Sequence, residues 1–280
     1  SGSSENPSTP FSAPCEASFR TRLTSSFVVF FATSNVTSTT ETLGVGTRTE
    51  MPSSLPFKSG STRPIAFATN TVPNNSPRRL VEFSRLALDS NLAELARANP
   101  DAVIDLRCDA YGHNAAWVRE AAVVHGFDEF LDDGRPYDEV PSSTGLLFGV
   151  TGGSRVATLT GEVVATKGIG VGEHVSYGYT WTAERDTRLG LVSLGFADGL
   201  PRAGSNRATL TVAGQRVPVV GRIAMDQCVV DITDVTVSTG DFATVWDNVE
   251  SLTEWAKYSS RDPLSLVSGL SWRVERSWVS

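Results

Sequence analysis

The feature that most constrains the fold is a series of β-branched segments that begins near residue 145. Gly, Asp and Pro residues separate these segments, which lie at 155–169, 187–196, 208–221 and 225–235. Valine, isoleucine and threonine suit the pleated surface of a sheet, and short runs of them between turn residues are typical of strands. Ala213-Gly214 predicts a hairpin turn, and residues 251–260 predict one late helix. The sequence therefore predicts an all-β domain over residues 145–280, a barrel or sandwich of roughly six to eight strands.

Residues 81–144 follow a different pattern, in which short apolar segments alternate with segments of helical period. A first helix is predicted with Asp89 or Ser90 as its N-cap. The apolar segment 102–106 is predicted to be a strand, and Asn114 the N-cap of a second helix. Alternation of strand and helix indicates the opening of a parallel α/β fold.

Composition excludes several classes of protein. Residues 1–80 are rich in Ser, Thr, Pro and Asn and are predicted to form a low-complexity or irregular segment. The net charge of the chain is -7, so we expect no nucleic-acid partner. The early apolar run 26–32 is too short to span a bilayer, so we expect no membrane partner. Scattered cysteines and histidines predict no disulfide framework, no metal site and a cytoplasmic location.

Two groups of motifs are more specific than this composition. DAYGHN occupies residues 109–114, downstream of LVEFSRLALDSNLAEL. Farther along the chain, VSYG, GFADGLPR and VGRIAMDQ follow one another within residues 172–233. In their order these motifs resemble the alanine racemase family, and the resemblance covers roughly residues 80–135 and 150–280.

The resemblance implies a TIM barrel that carries pyridoxal phosphate, followed by a β domain. The family interconverts L-alanine and D-alanine through a Schiff base with this cofactor, which stabilises a carbanion at Cα between two bases. The resemblance implies that Tyr177 is one base and reaches in from the partner subunit of a homodimer. It also implies that Tyr111 holds the cofactor phosphate, and that Met225 and Asp226 lie where the substrate carboxylate binds.

The second base of the family, a lysine that also anchors the cofactor, has no counterpart here. Its position holds Arg107. A guanidinium stays protonated, so it offers neither a base nor a nucleophilic amine. We expect Arg107 to lie in an ion pair or in solvent at a strand end, with contact to an anion as the alternative. Phe196 and Trp272 also replace family tyrosines. The only lysines, none in a loop suited to the cofactor, are Lys58, Lys167 and Lys257.

Other polar residues of the motifs are expected to serve the structure. Asp198 and Arg202 are expected to hold a turn, and Asp109 to fix its own loop through hydrogen bonds. His113 is expected to be packed or hydrogen-bonded and not to act as a base.

A TIM barrel needs at least about 200 residues, more than the sequence offers ahead of residue 145. We therefore expect an α+β fold, in which a truncated α/β remnant of a barrel precedes an intact β domain. The predicted protein is a degenerate family member that does not bind pyridoxal phosphate, has lost racemase activity and self-associates through surface that a barrel would cover. Three alternatives stay open: an active racemase that uses another lysine, a non-catalytic dimerisation or binding module, and a new reaction of Tyr177 with an unrelated ligand.

Overall fold

A computed structural model describes residues 31–33, 63–65, 79–134 and 140–280 of the chain. The strands are β1 Phe31–Thr33, β2 Arg63–Ile65, β3 Arg79–Ser84, β4 Ile104–Asp105, β5 Phe130–Leu131, β6 Ala157–Ile169, β7 His174–Val175, β8 Trp181–Thr182, β9 Thr187–Val192, β10 Thr209–Val212, β11 Gln215–Pro218, β12 Cys228–Asp231, β13 Phe242–Trp246 and β14 Glu275–Val279. The helices are α1 Arg85–Ala98, α2 Arg107–Gly112, α3 Ala115–Val124, α4 Ser143–Leu147, α5 Val249–Ser259 and α6 Pro263–Ser268.

The second half of the chain is built on an eight-stranded sheet. Its main order is β11-β10-β13-β6-β3-β14, and β9 and β12 extend from the second half of β6. The pairing of β6 with β9 shifts register between Val163 and Ala165, where a bulge lets one long strand serve both parts of the sheet. β10 and β11 form the hairpin expected at Ala213-Gly214, where both residues have positive φ. The prediction of an all-β domain in this part is confirmed.

β3 belongs to this sheet although it lies far upstream in the sequence. It pairs antiparallel with β6 and parallel with β14, and it buries Val81 and Phe83. Helix α1 follows at once, with Ser84 as its N-cap accepting from the Ala87 N–H at 3.2 Å. The predicted N-cap at Asp89 or Ser90 was wrong, because Ser84 already supplies the side-chain oxygen that ends the strand and starts the helix. The domain boundaries after residues 80 and 144 stay predictions.

The α/β region is a small parallel unit. β4 and β5 form a two-stranded parallel sheet, and α3 runs between them with Asn114 as its N-cap, as expected. A TIM barrel closes with eight parallel strands, whereas in the described residues β4 and β5 are the one parallel pair outside the large sheet. One continuous apolar core joins these strands and α1 to the large sheet.

The chain returns from the α/β region to the sheet through a segment fastened to α1. Asn91 is buried on α1, and its amide donates to the Leu147 and Ser154 carbonyls at 3.1 and 2.7 Å. Its Oδ1 accepts from the Ser154 N–H at 2.6 Å. Gly153 lies so close to Asn91 that a Cβ there would stand 2.5 Å from Oδ1. The side chain of Asn91 therefore pairs with backbone groups as a neighbouring strand would, and so fixes this connection.

Two further findings concern the described ranges alone. No helix within them is both long and apolar enough to cross a membrane. They also contain no group of three or more His, Cys, Asp and Glu residues arranged to hold a metal ion.

Candidate functional site

The DAYGH motif forms a left-handed helical turn. Residues 108–111 all have φ between 50° and 56°, a region disfavoured for residues that carry a Cβ. Two carboxylates hold the turn in place. Asp133 Oδ1 accepts from the Cys108 N–H at 2.8 Å, and Asp109 Oδ1 accepts from the Ala115 N–H at 2.8 Å. Asp109 therefore fixes its loop, as the sequence led us to expect.

Arg107 begins this turn and is ion-paired with Asp105 in the core. Its Nε donates to Oδ1 at 2.8 Å and its Nη2 donates to Oδ2 at 2.6 Å, a bidentate geometry. The hydroxyl of Tyr111 donates to the same Oδ2 at 2.7 Å. The side chains of Arg107 and Asp105 are both 0% exposed. Of the two places expected for Arg107, the structure shows the ion pair. We refer to Asp105, Arg107 and Tyr111 as the Asp105 cluster.

Asp105 and Arg107 of this cluster are both held in their charged forms. Burial raises the pKa of the Asp105 carboxyl, but hydrogen bonds from Arg107 and Tyr111 outweigh it, and the pKa lies below its ordinary value. The hydrogen bond with Asp105 raises the pKa of Arg107 above its ordinary value. Burial, followed by the hydrogen bond to Asp105, raises the pKa of the Tyr111 hydroxyl. Arg107 and Tyr111 therefore keep their protons near neutral pH, and Asp105 stays ionised.

These residues do not fit pyridoxal phosphate attached as a Schiff base. Attachment needs a neutral amine, and the position next to the motif holds a guanidinium in a bidentate ion pair. The hydroxyl of Tyr111, the expected phosphate ligand, is directed at Asp105. The described lysines lie elsewhere: Lys167 is on β6, where burial lowers its pKa, and Lys257 is exposed on α5. Lys58 lies outside the described residues.

His113, at the end of the motif, is a packing residue. It is completely buried, and its ring stacks on Phe148 with the ring centroids 4.3 Å apart. Its Nδ1 lies 2.9 Å from the Ala110 carbonyl oxygen, to which it donates in the neutral form. Burial lowers the pKa of His113 to about 3, so the ring stays neutral. The structure agrees with the structural role expected for it.

Tyr177 lies on the surface of the β domain, in the tight connection between β7 and β8. Ser176 and Gly178 on either side of it have φ of 66° and 80°. This turn leaves the side chain of Tyr177 74% exposed. The guanidinium of Arg222 lies 5.8 Å from its ring centroid, within the range of a cation–π contact. Tyr177 therefore extends into solvent, whereas Tyr111 is partly buried against the core.

Met225 and Asp226 lie on a neighbouring loop that Asp198 organises. Asp198 is fully buried, and its Oδ2 accepts from the Gly195 N–H at 2.8 Å. Its Oδ1 is ion-paired with Arg79 at 3.1 Å and with Arg273 at 3.3 Å. Arg273 also contacts Asp226 Oδ1 at 2.6 Å. Asp198 thus holds its turn, as expected, and it also connects β3, the Met225 loop and the last loop of the chain.

A surface of arginines and aromatic or apolar side chains results. Met225 is 48% exposed and Trp272, next to Arg273, is 89% exposed. Arg202 lies 5.1 Å from the ring centroid of Phe196, which makes a second arginine–aromatic contact. Backbone hydrogen bonds connect the loops that carry these groups. In one of them the Ala197 N–H donates to the Met225 carbonyl at 2.9 Å. The arginine–aromatic face comprises Tyr177, Phe196, Arg202, Arg222, Met225, Trp272 and Arg273.

Sequence reasoning missed Asp105 and the partners of Asp198. A signal for Asp105 was present, because an acid interrupts the apolar segment AVIDL two residues before Arg107. No comparable signal existed for Arg79, which lies more than a hundred positions from Asp198 in the sequence. The predicted residues fall into two groups. Arg107 and Tyr111 meet in the Asp105 cluster, while Tyr177, Met225 and Asp226 belong to the surface loops of the β domain.

Comparison with known families identifies the β domain. Residues 156–278 match the family model "Alanine racemase, C-terminal domain", so this part of the chain is a domain of that class. Alanine racemase from Vibrio cholerae is 34% identical over 163 residues, which cover 58% of this chain and 42% of that protein. Alanine racemase from Deinococcus radiodurans is 44% identical over 106 residues, which cover 38% of this chain and 30% of that protein. The matching segments span well under half the length of these relatives.

Solved structures show the same fold. Alanine racemase from Bartonella henselae, solved with covalently bound pyridoxal phosphate, superposes with a TM-score of 0.64 at 16% identity, covering 73% of this chain and 100% of that chain. The alanine racemase of the D-cycloserine producer Streptomyces lavendulae gives a TM-score of 0.63 at 18% identity, covering 74% and 98%. At these identities the likeness is one of fold.

Proposed function

We propose that this chain is an alanine racemase-like protein that does not interconvert L-alanine and D-alanine, and that its β domain serves as an association module. The bidentate ion pair between Arg107 and Asp105, with both side chains fully buried, carries the first part of the proposal. A charge-paired guanidinium cannot form the Schiff base on which the family's chemistry depends. Pyridoxal phosphate is therefore not a working cofactor of this chain.

The alternative of an active racemase would need another lysine. Lys167 is the stronger of the two described candidates, because burial lowers its pKa and so favours the neutral amine. It lies within the β6–β9 ladder, opposite Leu189, and not in the loop of Tyr111. Tyr177 is also 74% exposed, in the connection between β7 and β8. We therefore rank this alternative second.

The arginine–aromatic face supports the association role. Trp272 and Tyr177 are 89% and 74% exposed, although large aromatic side chains gain most from burial. Aromatic residues and arginine are also the residue types enriched in the cores of protein interfaces. We propose a homodimer in the cytoplasm, in which this face is covered by a second copy of the chain.

One experiment tests the catalytic part. The purified protein is mixed with pyridoxal phosphate, reduced with borohydride and digested, and the peptides are analysed by mass spectrometry. We expect pyridoxal phosphate to label the lysines of this chain no more than it labels the surface lysines of an unrelated protein. We also expect no racemisation of L-alanine. A stoichiometric adduct on Lys58, Lys167 or Lys257 together with racemase activity would contradict the proposal.

A second experiment tests association. Sedimentation at micromolar concentration is expected to give a dimer, and the double variant Tyr177→Ser, Trp272→Ser is expected to shift the equilibrium toward monomer. Arg97→Ser, on the exposed side of α1, is the control and is expected to leave the dimer intact. A monomer for the unaltered protein would contradict the association role while leaving the catalytic part untouched.

A further inference from the structure

We propose that Asp105 is a second and independent block to cofactor attachment, so that restoring lysine at position 107 alone does not restore it. This inference rests on the proposed absence of pyridoxal-phosphate chemistry and names a residue that enforces it. The family pattern places the missing lysine at position 107. The geometry indicates that Asp105 would keep an amine at position 107 protonated, so that it could not act as a nucleophile.

The carboxylate of Asp105 lies beside position 107. Both oxygens of Asp105 point at the side chain of residue 107, at 2.8 and 2.6 Å from the guanidinium nitrogens. Oδ1 also accepts from the backbone N–H of residue 107 at 3.2 Å. Because this third bond does not depend on the side chain at 107, the carboxylate stays beside that position when the arginine is exchanged.

The negative charge of this carboxylate acts on any amine at position 107. Asp105 is completely buried and ionised, because its hydrogen bonds hold its pKa below the ordinary value. An opposite charge within about 4–6 Å favours the protonated form of an amine. A lysine at position 107 would therefore be an ammonium paired with Asp105. An ammonium has no lone pair with which to attack the aldehyde of the cofactor.

Tyr111 is held by the same carboxylate. Its hydroxyl donates to Asp105 Oδ2 at 2.7 Å, the oxygen that also accepts from Arg107 Nη2. A lysine at position 107 leaves this bond in place, so the tyrosine stays directed at the carboxylate and away from any phosphate. Asp105 therefore contacts both family positions of the loop at once, and loss of its negative charge is what would release an amine at position 107.

The test compares three variants with pyridoxal phosphate as the probe. Arg107→Lys keeps Asp105. The double variant Arg107→Lys, Asp105→Asn removes the negative charge but keeps the shape and an acceptor for Tyr111. Arg97→Lys places a new lysine on the exposed side of α1 and gives the background. After borohydride reduction, the labelled fraction at the introduced lysine is measured by peptide mass spectrometry, and circular dichroism checks that each variant is folded.

We expect Lys in the single variant at 107 to be labelled no more than Lys in Arg97→Lys. In the double variant the labelling is expected to rise by at least about tenfold, since each unit by which the amine pKa falls gives tenfold more neutral amine. Equal labelling of the single and double variants, whether both high or both at background, would overturn the role of Asp105. Labelling of the unaltered chain would instead refute the proposed function.

A second readout uses the single variant alone and so does not depend on the folding of the double variant. Labelling of Arg107→Lys is expected to begin at higher pH than labelling of Arg97→Lys, because the carboxylate raises the pKa of the paired amine. Coincident pH profiles would show that Asp105 does not act on the amine, and would overturn the inference.

Discussion

Replacing Asp105 by Asn is expected to be among the most destabilising single substitutions in this chain. The change removes the carboxylate that pairs bidentately with the guanidinium of Arg107, whose side chain is 0% exposed. Removing one partner of a buried ion pair costs about 3–5 kcal/mol, because the remaining charge is left uncompensated. The hydrogen bonds at 2.8, 2.6 and 2.7 Å to this carboxylate place the effect in the upper part of that range.

Urea unfolding followed by circular dichroism and by tryptophan fluorescence measures this cost. With a slope of about 2 kcal/mol per molar urea, a loss of about 4 kcal/mol moves the midpoint by about 2 M. The matched control is Asp132→Asn, because Asp132 pairs with Arg119 at the surface and is 60% exposed. Exposed pairs contribute at most about 1 kcal/mol, so this control is expected to shift the midpoint by less than about 0.5 M.

A double variant separates the charge from the packing. Asp105→Leu with Arg107→Met removes both charges and keeps the volume apolar, which is often neutral or stabilising for a buried pair. We expect it to be at least about 3 kcal/mol more stable than Asp105→Asn alone. The reasoning is refuted if Asp105→Asn and Asp132→Asn shift the midpoint equally, since Arg107 would then tolerate the loss of its anion.

Three further outcomes are expected. Burial depresses the pKa of folded His113 to about 3, so its contribution to stability is present above its unfolded pKa of about 6.5 and is lost as pH falls below that value. His113→Phe should therefore reduce the slope of the unfolding free energy against pH in the acid range. An unchanged slope would contradict the conclusion that His113 is buried in its neutral form. Asn248 accepts from the Ser251 N–H at 2.8 Å as the N-cap of α5, so Asn248→Ala should cost about 1 kcal/mol in urea unfolding, and a cost near zero would mean that the cap is dispensable. Asn91→Leu leaves the Ser154 N–H and carbonyl without their partner and should cost about 2–3 kcal/mol, whereas Glu94→Leu on the exposed side of the same helix should change stability by less than about 0.5 kcal/mol; equal effects would count against the role of Asn91.

The parts of the fold that local patterns determine could be predicted from the sequence. Strand runs between turn residues gave the β domain, and Asn114 gave the start of α3, because each depends on neighbours a few positions away. The start of α1 was misplaced because Ser84, Asp89 and Ser90 are all suitable N-cap residues. Local propensity could not choose among them. The pairing of β3 in the sheet determines that the strand ends at Ser84, which then becomes the N-cap of α1.

The candidate site was predictable only where it depends on motifs. Tyr111 and Tyr177 were singled out because dense family patterns surround them, and Arg107 because it breaks such a pattern. Their functional roles stay predictions. The ion pair required knowing that Asp105 and Arg107 meet in the core at the end of β4, and the bond from Tyr111 to Asp105 depends on the left-handed turn at 108–111. Consecutive residues with positive φ have no simple sequence signal when none of them is glycine. Geometry of this kind has to be observed.

The position of β3 explains why an α/β region accompanies the β domain at all. β3 lies inside the sheet between β6 and β14, so the sheet is complete only with a strand that precedes the barrel-like unit in the sequence. The chain must leave β3 through α1 and return to β6, and Asn91 fastens this return to α1. The α/β region is therefore the connection that the sheet requires, and the Asp105 cluster lies within that connection. A charge pair that fills its interior serves this purpose whether or not any cofactor chemistry takes place there.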